Sequence, residues 1–251
     1  MLITVRDLRT FWGLQPRTLL HVGAHYAEEL QAYTENGWGS QGTWWVEAQE
    51  RATEFVRDRV ADLKNHYVLN VLAWDQADVI LQFHRTNNGQ SSSALELGTH
   101  TTHHPEIHVT ETLELRASRL DNVWKQHQFP PVEFINLDVQ GAEQHALEGF
   151  GHLLDHVDAV YCEVNTEEVY KGLMPLDEFD ARMLARGFAR VDWELTPFGW
   201  GDALYLRRTI SIRGRRLRRR IRRGRQQIIR TQRTVIGLIA RVQRRASRLF
   251  A

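Results

Sequence analysis

Apolar residues recur along this chain in two alternating patterns. Short, nearly continuous apolar stretches predict strands buried on both faces of a parallel sheet. They are Thr18–Gly23 (TLLHVG), Thr43–Ala48 (TWWVEA), Tyr67–Trp74 (YVLNVLAW), Glu133–Val139 (EFINLDV) and Val157–Val164 (VDAVYCEV). Between them lie segments that read as helices: Ala27–Asn36 stopped by Gly37, Glu50–Leu63, Leu120–His127, Ala142–Leu154, and Leu176–Arg186 capped by Gly187. Residues 1–17 predict a short amphipathic helix ended by Pro16. Val79–His84 and His108–Leu115 alternate as strands around a long polar loop, NNGQSSSALELGTHTTHHPEI, which predicts an inserted β element carrying a functional loop. Phe188–Leu195 and Ala203–Arg207 predict a closing antiparallel pair across TPFGWGD. Strands alternating with helices imply an α/β fold, with a mostly parallel sheet covered on both faces.

Composition changes this picture at one end only. The chain is 42% hydrophobic and 10% aromatic, enough for a core. The net charge of +1 conceals an asymmetry: seventeen arginines and no acid lie from Arg207 to Ala251. Residues 1–206 hold 15 lysines and arginines against 31 acids. Three parts follow: an N-terminal helix (1–17), a Rossmann-like domain (18–208) and an arginine-rich tail (209–251). In 213–250 the apolar residues Ile221, Ile228, Val235, Val242 and Leu249 step by seven, and Leu217, Leu238 and Ile239 widen the stripe. This predicts a helix with one oily and one cationic face. An anionic membrane surface satisfies both faces. A protein partner, a second copy, the acidic body, or a disordered arm are alternatives. Nucleic acid is disfavoured, because the acidic body repels a phosphate backbone. One cysteine, Cys162, and no zinc spacing suggest a reducing compartment. The start lacks a signal-peptide pattern, and no apolar run reaches the ~18 residues of a membrane span. The expected location is cytoplasmic, peripheral on the inner face of the membrane.

The candidate chemistry begins at Gly23. A small residue ending the first strand lets a ligand approach the backbone, at the carboxyl edge where such sheets bind ligands. The full G-x-G-x-x-G is absent, so the loop alone also reads as an ordinary strand–helix turn. Glu47 ends the second strand, near the ~20-residue offset at which an acid holds ribose hydroxyls. It also reads as a solvated strand-end carboxylate. Together the two features indicate a nucleoside-type cofactor. Glu28 and Glu29 set like charge against a pyrophosphate, which favours a cofactor bearing a sulfonium and an amine.

The stretches LLHVGAHYAEEL, WWVEA, QSSSAL, SRLD, FINLDVQGAE, YCEVN and GWGDALYL, in that order, resemble FkbM-type methyltransferases. The resemblance runs from Leu19 to Leu206, and its most specific piece is LDVQGAE, Leu137–Glu143. It implies the class I methyltransferase sheet of about seven strands, the last antiparallel, and an S-adenosylmethionine-dependent O-methyltransferase. By that resemblance Gly23, Ala24 and His25 line the cofactor, Glu47 holds its ribose and Asp75 sits at the adenine edge. Ser92 and Ser93 face cofactor or acceptor, Asp138, Gly141 and Glu143 border the reaction centre, and Glu163 and Asn165 face the acceptor. His21 stands in place of a common acid, and Ala27 in place of a common glycine.

Asp138 is the first candidate for a general base and Glu163 the second. The pair could instead hold a divalent cation, or each acid could brace a helix N-terminus. His100, His103, His104 and His108 are weaker metal candidates. Tyr170 and Trp200 form either a stacking wall for a sugar or plain core. The implied acceptor is a hydroxyl, with a sugar, glycan or lipid-linked saccharide suggested by Trp200 and the tail. A non-catalytic Rossmann-like module tethered by its tail is the alternative, favoured by His21 and Ala27.

Overall fold

The computed structural model describes residues 1–210, 219 and 221–224. Its frame is a seven-stranded sheet of β1 (Thr18–Val22), β2 (Gly42–Glu47), β3 (His66–Asn70), β7 (Phe134–Leu137), β8 (Ala159–Asn165), β9 (Phe188–Leu195) and β10 (Trp200–Arg207). The spatial order is β3-β2-β1-β7-β8-β10-β9, and β10 alone runs antiparallel to its neighbours. This is the mostly parallel sheet with an antiparallel final strand that the sequence implies. Helices α1 (Val5–Trp12), α2 (Leu30–Glu35), α3 (Glu50–Val60), α5 (Leu120–His127), α6 (Glu143–Phe150) and α7 (Leu176–Ala185) accompany it. The adjacent Trp44 and Trp45 show why both sheet faces need cover. Successive strand side chains point to opposite faces. Trp44 joins Trp124 and Phe150 in one core, and Trp45 joins Trp12, Tyr33 and Phe134 in the other.

A second, three-stranded sheet pairs β4 (Leu72–Ala73) and β5 (Ile80–Thr86) with β6 (Val109–Ser118). Sequence pattern alone treats Tyr67–Trp74 as one strand. The chain leaves the main sheet after the Val71 N–H donates to the Glu47 carbonyl at 3.0 Å, and Leu72 then pairs with Ala117. Both halves are apolar, so periodicity does not reveal the change of partner. Two helices also differ from expectation. His25 (φ 44°) and Ala27 (φ 54°) are left-handed, so α2 starts only at Leu30. Gly151, with φ 57° and ψ −133°, ends α6, and Gly151–His156 continues as a 3-10 turn. The inserted loop carries one helical turn, α4 (His100–His103).

Most of the expected tail helix over 213–250 lies outside the described residues. Residues 221–224 are helical, and Arg222 is 1% exposed. Its guanidinium grips buried Asp192 with Nε–Oδ2 2.5 Å and Nη2–Oδ1 2.8 Å, and reaches Glu194 at 3.2 Å. Trp12 Nε1 also donates to Asp192. The Arg219 guanidinium lies 3.0 Å from the Trp193 ring centre. At these residues the arginines engage the acidic body.

Gly23 ties β1 to β7. Its φ is +81°, and an added Cβ would stand 1.7 Å from the Asp138 carbonyl oxygen. The neighbouring backbone by itself excludes a side chain here, a packing reason for glycine that stands beside the ligand approach the sequence suggests. Gly13, with φ +70°, meets nothing within 4 Å.

Two outcomes follow from this packing. Gly13→Ala costs about 1 kcal/mol, the left-handed penalty alone, whereas Gly23→Ala costs at least about 3 kcal/mol, read by urea unfolding. Arg222→Ala removes the two closest guanidinium contacts of buried Asp192 and leaves it Arg219 at 3.5 Å, costing about 2 kcal/mol, while exposed Arg223→Ala stays within about 0.5 kcal/mol in the same assay.

Candidate active site

From β1 the chain builds β2 and β3 to one side and β7, β8 and the last strands to the other. A crevice opens at the carboxyl edge of a sheet where the order reverses this way. It holds a cavity with about 540 Å³ of empty space, lined by Gly23, Glu47, Phe83, Ser92 and Asp138 among others. Glu47 is 5% exposed. One of its oxygens accepts the His25 N–H at 2.9 Å, the other the Gln49 N–H at 2.8 Å. Burial pushes its pKa up, and these two amide bonds oppose the rise. A carboxylate has about four acceptor positions, so two remain for a diol. Val46, Val71, Leu72, Phe83 and Val139 give the cavity an apolar wall suited to a base.

A larger cleft, with about 1430 Å³ of empty space, adjoins this cavity. Gly23, His25, Gln90, Asp138 and Gln140 line both. Asp138 therefore stands at the junction. Its side chain is exposed to the open cleft. Protein crowded around it, then the charge of Asp202, raise its pKa to about 6. Water still reaches it, so crowding rather than complete burial is the cause.

Strand register explains the concentration of acid here. Leu137 pairs with Cys162, so Asp138 comes one step further, beside Glu163, and Glu163 pairs with Asp202 across β8 and β10. Three acids thus form a row on adjacent strands. Glu163 is 8% exposed, and burial, followed by the charges of Asp138 and Glu143, raises its pKa well above the carboxylate range. Gln140 holds the first two together. Its Nε2 donates to Asp138 Oδ1 at 2.5 Å and to Glu163 Oε2 at 2.9 Å, and its Oε1 accepts the Tyr170 hydroxyl at 2.6 Å. This residue was missed in the sequence. It sits in plain view inside LDVQGAE, but only its left-handed φ of 56° shows that its amide turns between the acids.

The remaining predicted residues separate into those at the cavities and those behind them. Ala24, His25, Tyr170 and Trp200 line the large cleft, and Ser92 the first cavity. Ser93 lines neither. Its hydroxyl donates to the Gln140 carbonyl at 2.7 Å and anchors that turn. Asp75 also lines neither, and pairs with His145 Nδ1 at 2.7 Å. Glu143 faces the turn preceding α6, where one oxygen accepts the Val139 and Gly141 N–H groups; burial raises its pKa to about 8. Gly141 packs against Tyr170, whose side chain a Cβ would meet at 2.9 Å. Asn165 donates to Glu163 at 3.3 Å and borders a smaller cavity behind it.

Among the described residues no group of three or more His, Cys, Asp or Glu stands ready to hold a metal ion. His103 pairs with Glu167 and His104 with Glu106. The two departures from the family pattern leave the pocket intact. His21 is buried beside Tyr33 and Asn136, and Ala27 keeps the left-handed backbone a glycine would have. The apolar slot, the half-used Glu47 carboxylate and the acidic surroundings fit an adenosyl sulfonium.

The family described as the methyltransferase FkbM domain matches residues 21–189. The 2-O-methyltransferase NoeI of Sinorhizobium fredii is 25% identical over 138 residues, 52% of this chain and 56% of that protein. The chain thus spans about half the length of the curated relative it matches. The crystal structure of methyltransferase FkbM from Methylobacillus flagellatus KT is 14% identical, with a TM-score of 0.53, over 81% of this chain and 48% of that one. At that identity the likeness concerns fold alone. A SAM-dependent methyltransferase from Aquifex aeolicus is 13% identical, with a TM-score of 0.47, over 82% of this chain and 90% of that one. With residues 21–189 matched and a class I sheet in place, the chain belongs to the FkbM methyltransferase family.

Proposed function

We propose that this protein transfers a methyl group from S-adenosylmethionine to a hydroxyl of a saccharide. The observation that carries the reading is the position of Asp138, on the wall shared by the cavity beside Glu47 and the large cleft. Glu47 grips the ribose diol, and Val46, Leu72 and Phe83 enclose the base. The bound donor supplies a methyl group activated by its sulfonium. The acceptor oxygen must lie in line with it at roughly 3–3.5 Å, so much of the catalysis is positioning.

Asp138 accepts the hydroxyl proton. Of the two carboxyls sharing the Gln140 amide, it has the better access to water and ionises first, while buried Glu163 keeps its proton. A carboxylate base is favoured over a bound divalent cation, because the Gln140 N–H donors occupy the space between the acids. Tyr170 and Trp200 flank the cleft and suit a sugar ring. The name of the S. fredii relative, a 2-O-methyltransferase, supports oxygen as the acceptor atom. The basic tail would keep the domain at an anionic membrane surface on the cytoplasmic side, within reach of a lipid-linked saccharide.

Two measurements test this reading. Glu47→Ala weakens S-adenosylmethionine binding at least about tenfold in calorimetry, since a buried hydrogen-bonded carboxylate is lost. Wild-type binding by that variant would remove Glu47 from the ribose site. The base must be ionised, so kcat/KM rises with pH through about 6 and then levels. Asp138→Asn abolishes that limb and lowers turnover at least about a hundredfold, with cofactor affinity within about tenfold. Unchanged turnover excludes Asp138 as the base.

A further inference from the structure

The large cleft is one-sided in charge. Glu28, Glu29, Asp138 and Asp202 line it beside protonated Glu163, and among the described residues of its wall there is no lysine or arginine. Glu28 is held ionised: burial works against this, but the His25 hydrogen bond at 2.7 Å and other contacts bring its pKa down to about 2. Histidine does not offset these charges at His21 or His100, whose pKa values burial lowers. The Met1 ammonium stands 3.6 Å from Glu29 and is already faced by an acid.

The rest of the wall suits an uncharged ring. Tyr170 and His100 lie 5.7 Å apart between ring centres, and His104 packs 5.4 Å from His100. His100 is 8% exposed and its Nδ1 has no hydrogen-bond partner. A neutral imidazole in an apolar wall can serve a hydroxyl by donating or accepting. Carboxylates likewise accept from sugar hydroxyls or from an ammonium, but they repel an anion brought among them. Like-charge juxtaposition of this kind is how a site rejects the wrong partner.

Resting on the saccharide methylation proposed above, we infer that the sugar unit seated in this cleft carries no negative charge. It is a neutral or amine-bearing sugar, and uronic, sulfated and phosphorylated sugars are excluded. A lipid-linked acceptor would keep its phosphates outside the cleft.

The test uses the full chain, methyl-labelled S-adenosylmethionine and total saccharide from the organism that makes the protein. After labelling, the saccharide is broken to single sugars by mild acid that spares sugar phosphates, and the sugars are separated by anion exchange. The expected result is at least about tenfold more label in the unretained sugars than in the retained ones. Label concentrated on retained, acidic sugars overturns the inference and leaves saccharide methylation standing. Label on no sugar at all overturns saccharide methylation and this inference with it, while calorimetry with S-adenosylmethionine separately decides whether the cofactor site stands.

Discussion

The fold and the site meet where β1 and β7 end side by side. Gly23 lies so close to the Asp138 carbonyl that no side chain fits between them. The Gly23 N–H is held by the Val46 carbonyl at 2.9 Å, and the Asp138 N–H by the Val22 carbonyl at 3.0 Å. Three strand ends are thereby locked in register, each carrying a residue of the site: Gly23, Glu47 and Asp138. Loosening that approach would move Glu47 and the candidate base together, because both are carried by the same backbone contacts.

Gathering acids at this edge is costly. Buried carboxyls lose hydration, and neighbours of like charge add to the loss. Gln140 provides two N–H donors between Asp138 and Glu163, and Tyr170 orients the amide from behind. Ser93 fixes the Gln140 backbone, so the serine motif supports the site through the turn it braces. The result is two unequal carboxyls, one open to the cleft and one buried. Such inequality allows one acid to be a base while its neighbour stays protonated.

Charge also organises the outer strand β9. Asp192 on β9 is fully buried and receives Trp12, the Trp193 N–H and Arg222. The acidic body and basic tail are therefore joined by at least one desolvated ion pair. This contact ties the start of the tail to the same strand that receives α1 through Trp12.

Much of this was legible in the residue pattern. Apolar runs separated by amphipathic segments dictate a parallel sheet covered on both faces, because each run must be buried and each helix has one face to bury it with. LDVQGAE and the acid ending TWWVE marked two strand ends that line the cavity. Local pattern could not say which strands lie side by side, since hydrogen bonds between distant segments decide that. The row Asp138–Glu163–Asp202 comes from the pairing of β7, β8 and β10, and the split of Tyr67–Trp74 from competition between two sheets for one apolar run. The left-handed Gln140 and the diversion of Asp75 to His145 likewise depend on neighbours far along the chain. The sequence determined which residues could do chemistry, because side-chain type is local. Only the tertiary structure decided which of them share a cavity, because strand register is set by the packing of the whole sheet.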